Sequence, residues 1–232
     1  MKKTLLLILL ALITSCAKET PDLIVKGTIK NLKKGTIYLK KEKDSSLVIV
    51  DSLIINGNSN FELHSDIESP EIFFLYLDKN SSEDERIPFF ADKGITQINT
   101  SLKNFVYDAK ITGSTQQKLW QDYKKIMSRF NDINLDLIKE NIESQKTGDT
   151  SQIGRIQKEY DNNIKRRYLY TVNFAITNKD SELAPYLALT EAYNAQIKLL
   201  DTINNSLTPK VKESKYGKEL ESFISKIKSE EK

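Results

Sequence analysis

Residues 105–138, FVYDAKITGSTQQKLWQDYKKIMSRFNDINLDLI, contain the point at which the hydrophobic pattern of this chain changes. Upstream of Gly113, apolar and polar residues alternate in short runs, a period that is typical of strands. Downstream of it, apolar residues recur every three or four positions, which indicates one face of a helix. The sequence therefore predicts an α+β fold, with a β domain over residues 23–113 followed by an α-helical domain over residues 114–232.

The segment before this change contains short apolar runs that are separated by turn residues. The runs cover residues 23–29, 36–39, 47–54, 61–64, 72–77, 87–91 and 95–98, and the series finishes with 105–107 and 109–111. Asp92-Lys93-Gly94 has the composition of a hairpin turn between two of these runs. Seven or eight short strands at this spacing predict an antiparallel β-sandwich or an open barrel.

The helical domain is predicted to begin with two long helices. One apolar stripe runs from Leu119 to Ile138, and a second of similar length runs from Ile153 to Ile176. Residues 146–151, KTGDTS, interrupt the pattern between them, which favours an antiparallel helical hairpin. Shorter helices are predicted over residues 184–194, 197–207 and 218–228.

The N-terminus has the pattern of a secretory signal. Lys2 and Lys3 precede an unbroken apolar run over residues 5–13, and small residues follow it. The run is much shorter than the roughly 20 residues that cross a bilayer, so it is not expected to be a permanent membrane span. We interpret residues 1–15 as a signal peptide.

Cys16, the only cysteine of the chain, ends the motif Ile13-Thr14-Ser15-Cys16. This motif resembles the lipobox that lipoprotein signal peptidase cleaves, which implies lipidation of Cys16, a membrane anchor and a tether over residues 16–22. Ala17 rather than an aspartate follows Cys16, which resembles the pattern of lipoproteins sent to the outer membrane, and the periplasmic face is favoured over the cell surface. The alternative is an ordinary secreted protein with a cysteine near its cleavage site.

The composition excludes several classes of function. Lys and Arg number 35 and Asp and Glu number 32, so the nearly balanced charge does not predict nucleic-acid binding. With one histidine, His64, and one cysteine, the usual His/Cys zinc sites cannot be assembled, and a Ser-His-Asp triad has a single candidate base. We therefore expect no enzymatic activity, no cofactor and no metal, although chemistry that uses only Asp and Glu stays open.

Three polar features are candidates for function, each with a simpler interpretation. His64, near Glu62 and Asp66, could act as a general base or a pH sensor, while a surface strand position is favoured. Ser81-Ser82-Glu83-Asp84-Glu85 is acidic, but it lacks the spaced ligands and turn glycine of a calcium loop, which favours a solvated loop. Lys165-Arg166-Arg167 could contact lipid headgroups or an acidic partner, while an exposed helix face is favoured.

Two further groups lie on the first predicted helix. Trp120, Tyr123 and Phe130 could line a ligand groove, but their helical spacing favours core packing. Asp132 and Asp136 lie four residues apart and therefore share a helix face. That spacing is common on polar helix faces, so it does not support a hydrolase.

Several short motifs are similar to those of one bacterial domain family. They are VKGTIKNL (25–32), GTIYL (35–39), DS (51–52), NFEL (60–63), FADKG (90–94) and ITGSTQQ (111–117). These motifs resemble domain-of-unknown-function family 4369, found at the N-terminus of many lipoproteins of Bacteroidota-type bacteria. In those proteins a helical segment and then a thioredoxin-like domain follow, and residues 209–212 and 214–220 resemble the stretch just before the thioredoxin-like domain. This sequence has no Cys-x-x-Cys motif, so the thiol chemistry of the longer relatives is not implied for it.

We therefore expect a non-catalytic envelope lipoprotein that acts as a binding or scaffolding module. The resemblance suggests that it docks a thioredoxin-like envelope protein or the client of one. One alternative is a lipoprotein that binds glycans or peptides through sheet-face aromatics such as Tyr38 or Tyr76. A second alternative is the remnant of a thiol-disulfide oxidoreductase that lacks its redox domain.

Overall fold

The structure, a computed structural model, describes residues 20–44, 46–78 and 80–230. The strands are β1 (Leu23–Lys30), β2 (Lys34–Lys43), β3 (Ser46–Asn56), β4 (Asn60–Ser65), β5 (Glu71–Tyr76), β6 (Ile87–Ala91), β7 (Gly94–Ser101) and β8 (Lys110–Thr112). The helices are α1 (Thr115–Thr147), α2 (Thr150–Thr177), α3 (Leu183–Glu191), α4 (Ile197–Ser206), α5 (Pro209–Lys212) and α6 (Lys215–Glu230). The predicted signal peptide, Cys16 and the first residues of the predicted tether lie outside the described residues.

The eight strands form two four-stranded sheets that pack face to face. Sheet A has the strand order β4-β1-β7-β8, and sheet B has the order β3-β2-β5-β6. Alternate residues of each strand point inward, as the period of two requires, and meet in one apolar core. Its members include Leu23, Val25, Leu63 and Ile98 of sheet A, and Ile37, Leu39, Phe73 and Phe89 of sheet B. The predicted β-sandwich is therefore confirmed.

The connection between β6 and β7 differs from the prediction. Asp92-Lys93-Gly94 does not close a hairpin, because it carries the chain from β6 in sheet B to β7 in sheet A. β7 then pairs in parallel with β1, so that Gly94 lies opposite Leu23 and Ile98 lies opposite Gly27. The other strand pairs of the two sheets are antiparallel, as predicted. The hairpin prediction is therefore wrong. The physical reason is that turn residues favour a sharp change of direction without specifying which strand becomes the partner.

The end of the strand region also differs from the prediction. Residues 105–107 form a turn rather than a strand, although Phe105 still packs into the core. The Thr100 hydroxyl donates to the Phe105 carbonyl at 2.6 Å. This carbonyl therefore has a hydrogen-bond partner although it does not take part in strand pairing. Gly113 follows β8 at φ 109°, where a Cβ atom would lie 2.1 Å from the Ile95 carbonyl oxygen. A glycine is therefore required where the strands give way to α1.

The two long helices form the predicted antiparallel hairpin. The Tyr123 hydroxyl of α1 lies 2.7 Å from the Thr171 hydroxyl of α2. Further along, the Asn163 amide of α2 donates to Asn134 Oδ1 of α1 at 2.7 Å. At 1.5 Å per residue, the 33 residues of α1 extend about 50 Å. The shorter helices pack around one end of this hairpin, where α3 ends at Glu191 instead of continuing to residue 194.

The helices add a third layer to the sandwich. Ile72 and Phe90, on the outer side of sheet B, pack in one buried cluster with Trp120, Leu187 and Tyr216 of the helices. Phe90 is fully buried, and its ring contacts Trp120, Tyr186 and Tyr216 at centroid distances of 6.4, 5.6 and 6.0 Å. The order of layers is therefore sheet A, sheet B and helices.

Candidate functional site

Asp92 attaches the start of α1 to the end of β6. Its Oδ2 accepts hydrogen bonds from the Ser114 hydroxyl at 2.9 Å and from the Thr115 backbone amide at 3.0 Å. Ser114 is also the N-cap residue of α1, because its hydroxyl accepts a hydrogen bond from the backbone N–H of Gln117 at 3.1 Å. A carboxylate at this position is stabilised by the unpaired amides and the dipole of the helix N-terminus.

Two helix side chains hydrogen-bond to backbone groups of sheet B. Gln117 Oε1 accepts from the Phe90 amide at 2.8 Å, on the edge strand β6. The Tyr216 hydroxyl accepts from the Ile72 amide at 3.0 Å. Both amides are buried, so each would carry a substantial desolvation cost without its partner. These contacts set the position of the helices on the sheet.

Glu71 lies at the centre of a partly buried charge cluster at the start of β5. Its carboxylate contacts Lys41 at 3.0 Å and Lys215 at 2.7 Å, and the Glu71 side chain is only 7% exposed. Lys215 also donates to the Glu42 carbonyl at 2.9 Å. The two lysines compensate the buried carboxylate, which would otherwise be strongly unfavourable.

A second buried polar group joins α1 to the segment before α3. Gln116 Nε2 donates to Glu182 Oε2 at 2.6 Å, and the Ser181 hydroxyl donates to Gln116 Oε1. Burial raises the pKa of Glu182 above its ordinary range. Both the nitrogen and the oxygen of the Gln116 side-chain amide are therefore hydrogen-bonded.

Beside these contacts lies a cleft of about 590 Å³, which we call the interlayer cleft. It lies between sheet B and the helices, a type of position at which ligand sites are common. Its apolar lining consists of Ile72, Phe74, Pro88, Val106, Trp120, Tyr186 and Tyr216. Its polar lining consists of Glu42, Glu83, Asp84, Arg86 and Thr190.

The aromatic rings of the interlayer cleft contact one another. Trp120 and Tyr186 are 6.0 Å apart and nearly perpendicular at 89°, and Tyr186 is 5.0 Å from Tyr216. Burial raises the pKa of Tyr186 to about 12 and also raises the pKa of Tyr216. Both hydroxyl groups therefore carry their protons at neutral pH and can donate hydrogen bonds.

Cationic side chains of the protein lie over two rings of the interlayer cleft. The Arg86 guanidinium is 4.1 Å from the centroid of Phe74 and also pairs with Glu83 at 3.0 Å. The Lys124 ammonium is 3.7 Å from the centroid of Trp120. These distances are within the range of favourable cation–π contacts.

A second candidate surface is the half of sheet B that the helices leave uncovered, which we call the open face. Ile54, Ile49 and Leu47 of β3 are 77%, 42% and 40% exposed. In the register of β3 and β2, Ile49 lies opposite Lys40, and Lys40 lies opposite Phe74 of β5. Side chains directly opposite each other share one face, so these aliphatic residues lie on the same side of the sheet as the residues that the helices bury.

The profile of a protein family, described as domain of unknown function (DUF4369), matches residues 23–120. These residues form a DUF4369 domain. The match contains all eight strands and extends into α1, so Asp92, Ser114, Gln117 and Trp120 all belong to the DUF4369 domain. The resemblance inferred from the motifs is therefore confirmed. A comparison with curated proteins found no match.

The structure shows how two of the short motifs within the matched residues meet. FADKG (90–94) and ITGSTQQ (111–117) lie far apart in the sequence, yet Phe90 contacts Gln117 and Asp92 contacts Ser114. The two motifs therefore meet where α1 joins sheet B. In this chain their polar residues connect the layers.

His64 and the acidic segment lie at exposed positions. His64 Nε2 is 3.1 Å from Glu62 Oε1 on the outer side of sheet A, as the surface interpretation predicts. Residues 83–85 form a short 3₁₀ turn, in which Glu83 pairs with Arg86. Sequence reasoning did not identify Glu83 and Asp84 as part of the interlayer cleft, because the turn approaches the helices only in the folded chain.

The basic segment is only partly exposed. Lys165 and Arg166 are exposed, as predicted, but Arg167 is half-buried and pairs with Glu191 at 2.5 Å. The prediction of an exposed face is therefore wrong for Arg167, because α3 packs against that side of α2. Asp132 and Asp136 are exposed on α1.

The aromatic candidates have different positions. Trp120 and Tyr123 are buried and Phe130 is half-buried, which confirms core packing, although one side of Trp120 also lines the interlayer cleft. Tyr76 is 2% exposed beneath Lys40, so the prediction that it presents an aromatic face to a ligand is wrong. Tyr38 lies opposite Tyr76 and is half-buried on the open face.

The part of the chain that the structure describes contains neither a cluster of metal ligands nor a membrane-spanning helix. Among residues 20–44, 46–78 and 80–230, no three His, Cys, Asp or Glu side chains converge in the manner of a metal site. Within the same ranges, none of the helices has the length and apolar character needed to cross a membrane.

Proposed function

We propose that this protein is a non-catalytic binding or scaffolding module of the cell envelope. In this proposal the signal peptide is removed and Cys16 carries the lipid that anchors the chain, most simply in the outer membrane with the module on the periplasmic face. The lipobox-like motif Ile13-Thr14-Ser15-Cys16 supports this anchoring. Two or three acyl chains hold a protein durably on a membrane, whereas a single chain does not.

The open face is the observation that supports a docking role. Its exposed aliphatic side chains are those of Leu47, Ile49 and Ile54, all on one edge strand of sheet B. A row of aliphatic residues on an exposed edge strand favours association, because apolar side chains lie in water beside a strand edge that has no partner within its sheet. The open face therefore suits a protein partner better than a small solute.

The proposed partner is a thioredoxin-like envelope protein. The support for this choice is the family resemblance, since thioredoxin-like domains follow the same β and helical segments in the longer relatives. The partner would supply the thiol chemistry, and this chain would supply the anchor and the docking surface. In the glycan- or peptide-binding alternative, Tyr38 of the open face is still a candidate for ligand contact. Tyr76 is not, because it is buried.

Affinity capture from native envelopes tests the docking role. The wild-type chain, Ile54→Lys and Leu135→Lys would be used as bait, and thioredoxin-like proteins would be quantified by mass spectrometry. Leu135 is a matched control, because it is 64% exposed on α1, away from sheet B. We expect wild type and Leu135→Lys to retain the partner and Ile54→Lys to lose it. Capture of no protein, or equal capture by all three baits, would contradict the proposal.

Membrane fractionation tests the anchor separately. Cys16→Ala removes the thiol that would carry the lipid, so we expect the variant to leave the membrane fraction. Cys16→Ala that stays in the membrane to the same extent as wild type would contradict lipid anchoring, without bearing on the open face.

A further inference from the structure

We infer that the interlayer cleft binds a neutral, polyhydroxylated ligand of the glycan class. This site is distinct from the open face and does not depend on a protein partner. Its volume of about 590 Å³ lies within the range of sites for small organic ligands. The inference rests on which hydrogen-bonding groups of the lining lack partners, on the charge of the lining and on the use of its aromatic rings.

The interlayer cleft offers hydrogen-bond acceptors at its rim. The carboxylates of Glu42 and Asp84 line it, and within the part of the chain that the structure describes neither forms an ion pair. Ionised carboxylates accept hydrogen bonds strongly, and each can bind two neighbouring hydroxyl groups. A ligand with adjacent hydroxyl groups matches these acceptors.

The interlayer cleft also offers donors. The Tyr186 hydroxyl has no hydrogen-bond partner among residues 20–44, 46–78 and 80–230. The Tyr216 hydroxyl accepts from the Ile72 amide, so its own proton is available for a ligand oxygen. The Thr190 hydroxyl donates to the Tyr186 carbonyl at 2.9 Å, which leaves its oxygen as a further acceptor at the rim, and Arg86 donates to Tyr76 and Glu83 with only part of its five N–H groups. A ligand whose oxygens both donate and accept can satisfy both sets of groups.

The charges of the lining distinguish between ligand classes. Three carboxylates, from Glu42, Glu83 and Asp84, face one guanidinium, from Arg86, and this balance disfavours an anionic ligand. An organic cation could pair with the rim carboxylates, but the positive charges of Lys124 on Trp120 and of Arg86 on Phe74 would repel it beside the rings. A neutral ligand avoids both conflicts.

The remaining lining is apolar and suits the C–H surface of a sugar ring. Pro88 and Val106 lie beside the aromatic residues, and Trp120 and Tyr186 stand nearly perpendicular to each other. Aromatic side chains combine a large apolar area with polar atoms at their rims, so they can contact the apolar and the hydroxylated parts of one ligand.

Trp120 provides a direct binding assay. It is the only tryptophan of the chain and it lines the interlayer cleft, so its fluorescence reports on occupancy without a label. The mature chain would be titrated with neutral disaccharides and trisaccharides of glucose, mannose and N-acetylglucosamine. Spermidine, lysine amide and glucuronic acid would be titrated in parallel. We expect a saturable change with at least one neutral saccharide and none with the charged compounds. Saturation only by the amines or the acid, or by no compound, would overturn the inference.

Isothermal titration calorimetry with matched variants then locates the site. Tyr186→Phe removes one donor and keeps the ring, and Glu42→Gln removes one charged acceptor. The ligand is the neutral saccharide that the fluorescence titration identifies. We expect each variant to bind it about tenfold more weakly, which is the effect of one lost hydrogen bond. Tyr193→Phe and Glu62→Gln are the controls, because both residues lie outside the cleft lining. Equal affinity for all four variants and wild type would place the ligand elsewhere and overturn the inference.

Discussion

The covered half and the open face of sheet B have similar apolar character but different surroundings. On β5 and β6, Ile72 and Phe90 are buried beneath the helices. On β3, Ile54 and Ile49 belong to the same side of the same sheet, yet they are 77% and 42% exposed. Apolar character alone therefore does not determine which part of the sheet the helices cover.

Polar contacts account for the difference between the two halves. Gln117 and Tyr216 accept from backbone amides of β6 and β5, and Asp92 binds the first residues of α1. Lys215 adds a charged contact to Glu71 at the start of β5. Because hydrogen bonds and ion pairs are directional, they select one position of the helices on a surface that apolar packing alone would define poorly.

The largest expected effect is at the centre of the covered half. Phe90→Ala removes a fully buried ring that contacts Trp120, Tyr186 and Tyr216. We expect the free energy of unfolding to fall by about 3–5 kcal/mol, since truncation of a buried phenylalanine loses apolar transfer energy and leaves a cavity. Urea unfolding followed by Trp120 fluorescence measures the change. A loss below about 1 kcal/mol would mean that the helices do not depend on this contact.

A smaller effect is expected from one polar contact. Tyr216→Phe keeps the ring and leaves the Ile72 amide buried without its acceptor. We expect a loss of about 1–3 kcal/mol in the free energy of unfolding, the cost of an unsatisfied buried donor. Tyr107→Phe is the matched control, because Tyr107 is 94% exposed. If the two variants unfold at the same urea concentration, the contact does not contribute to the attachment of the helices.

The contact between Gln116 and Glu182 should depend on pH. Burial raises the pKa of Glu182 above 4.5, so the folded state holds this proton more tightly than the unfolded state. Ionisation of Glu182 therefore lowers the stability of the folded protein as the pH rises from about 4.5. Glu182→Gln stays neutral and keeps an oxygen for Gln116. We expect the stability of the variant relative to wild type to increase between pH 4 and pH 7, as measured by urea unfolding. A difference that does not change with pH would contradict this.

The smallest effect on stability is expected on the open face. Ile54→Thr keeps a β-branched residue on β3 and removes an exposed aliphatic group. We expect the free energy of unfolding to change by no more than about 0.5 kcal/mol, in contrast to Phe90→Ala on the same side of the sheet. Thermal unfolding followed by circular dichroism measures this. A loss comparable to that of Phe90→Ala would show that Ile54 packs against another part of the chain.

The succession of elements was predictable because it depends on local patterns. The change of period at Gly113 correctly separated the strands from the helices, and the apolar stripes of α1 and α2 indicated the helical hairpin. Asp92-Lys93-Gly94 was not predictable in the same way, because its composition is compatible with both a hairpin and a crossing between sheets. Pairing of β1 with β7 joins residues about 70 positions apart, a separation that a local pattern does not encode.

The candidate site was predictable only in part. Trp120 was identified both as a core residue and as a possible groove residue, and the structure places it in a buried cluster and in the lining of the interlayer cleft. Tyr186 and Tyr216 were not identified as site residues, because nothing in their local sequence distinguishes them from other tyrosines of amphipathic helices. The FADKG and ITGSTQQ motifs were the available signal for the junction, but their contact required the folded chain.

The amino-acid sequence by itself determined the α+β class, the order of strands and helices and the similarity to DUF4369, because periodicity and short motifs are local properties. The tertiary structure decided which strands pair, which half of sheet B the helices cover and which residues line the interlayer cleft. These features depend on contacts such as those of Phe90 with Gln117 and Ile72 with Tyr216, which join distant parts of the chain. Such contacts form only when directional hydrogen bonds and close packing are satisfied together.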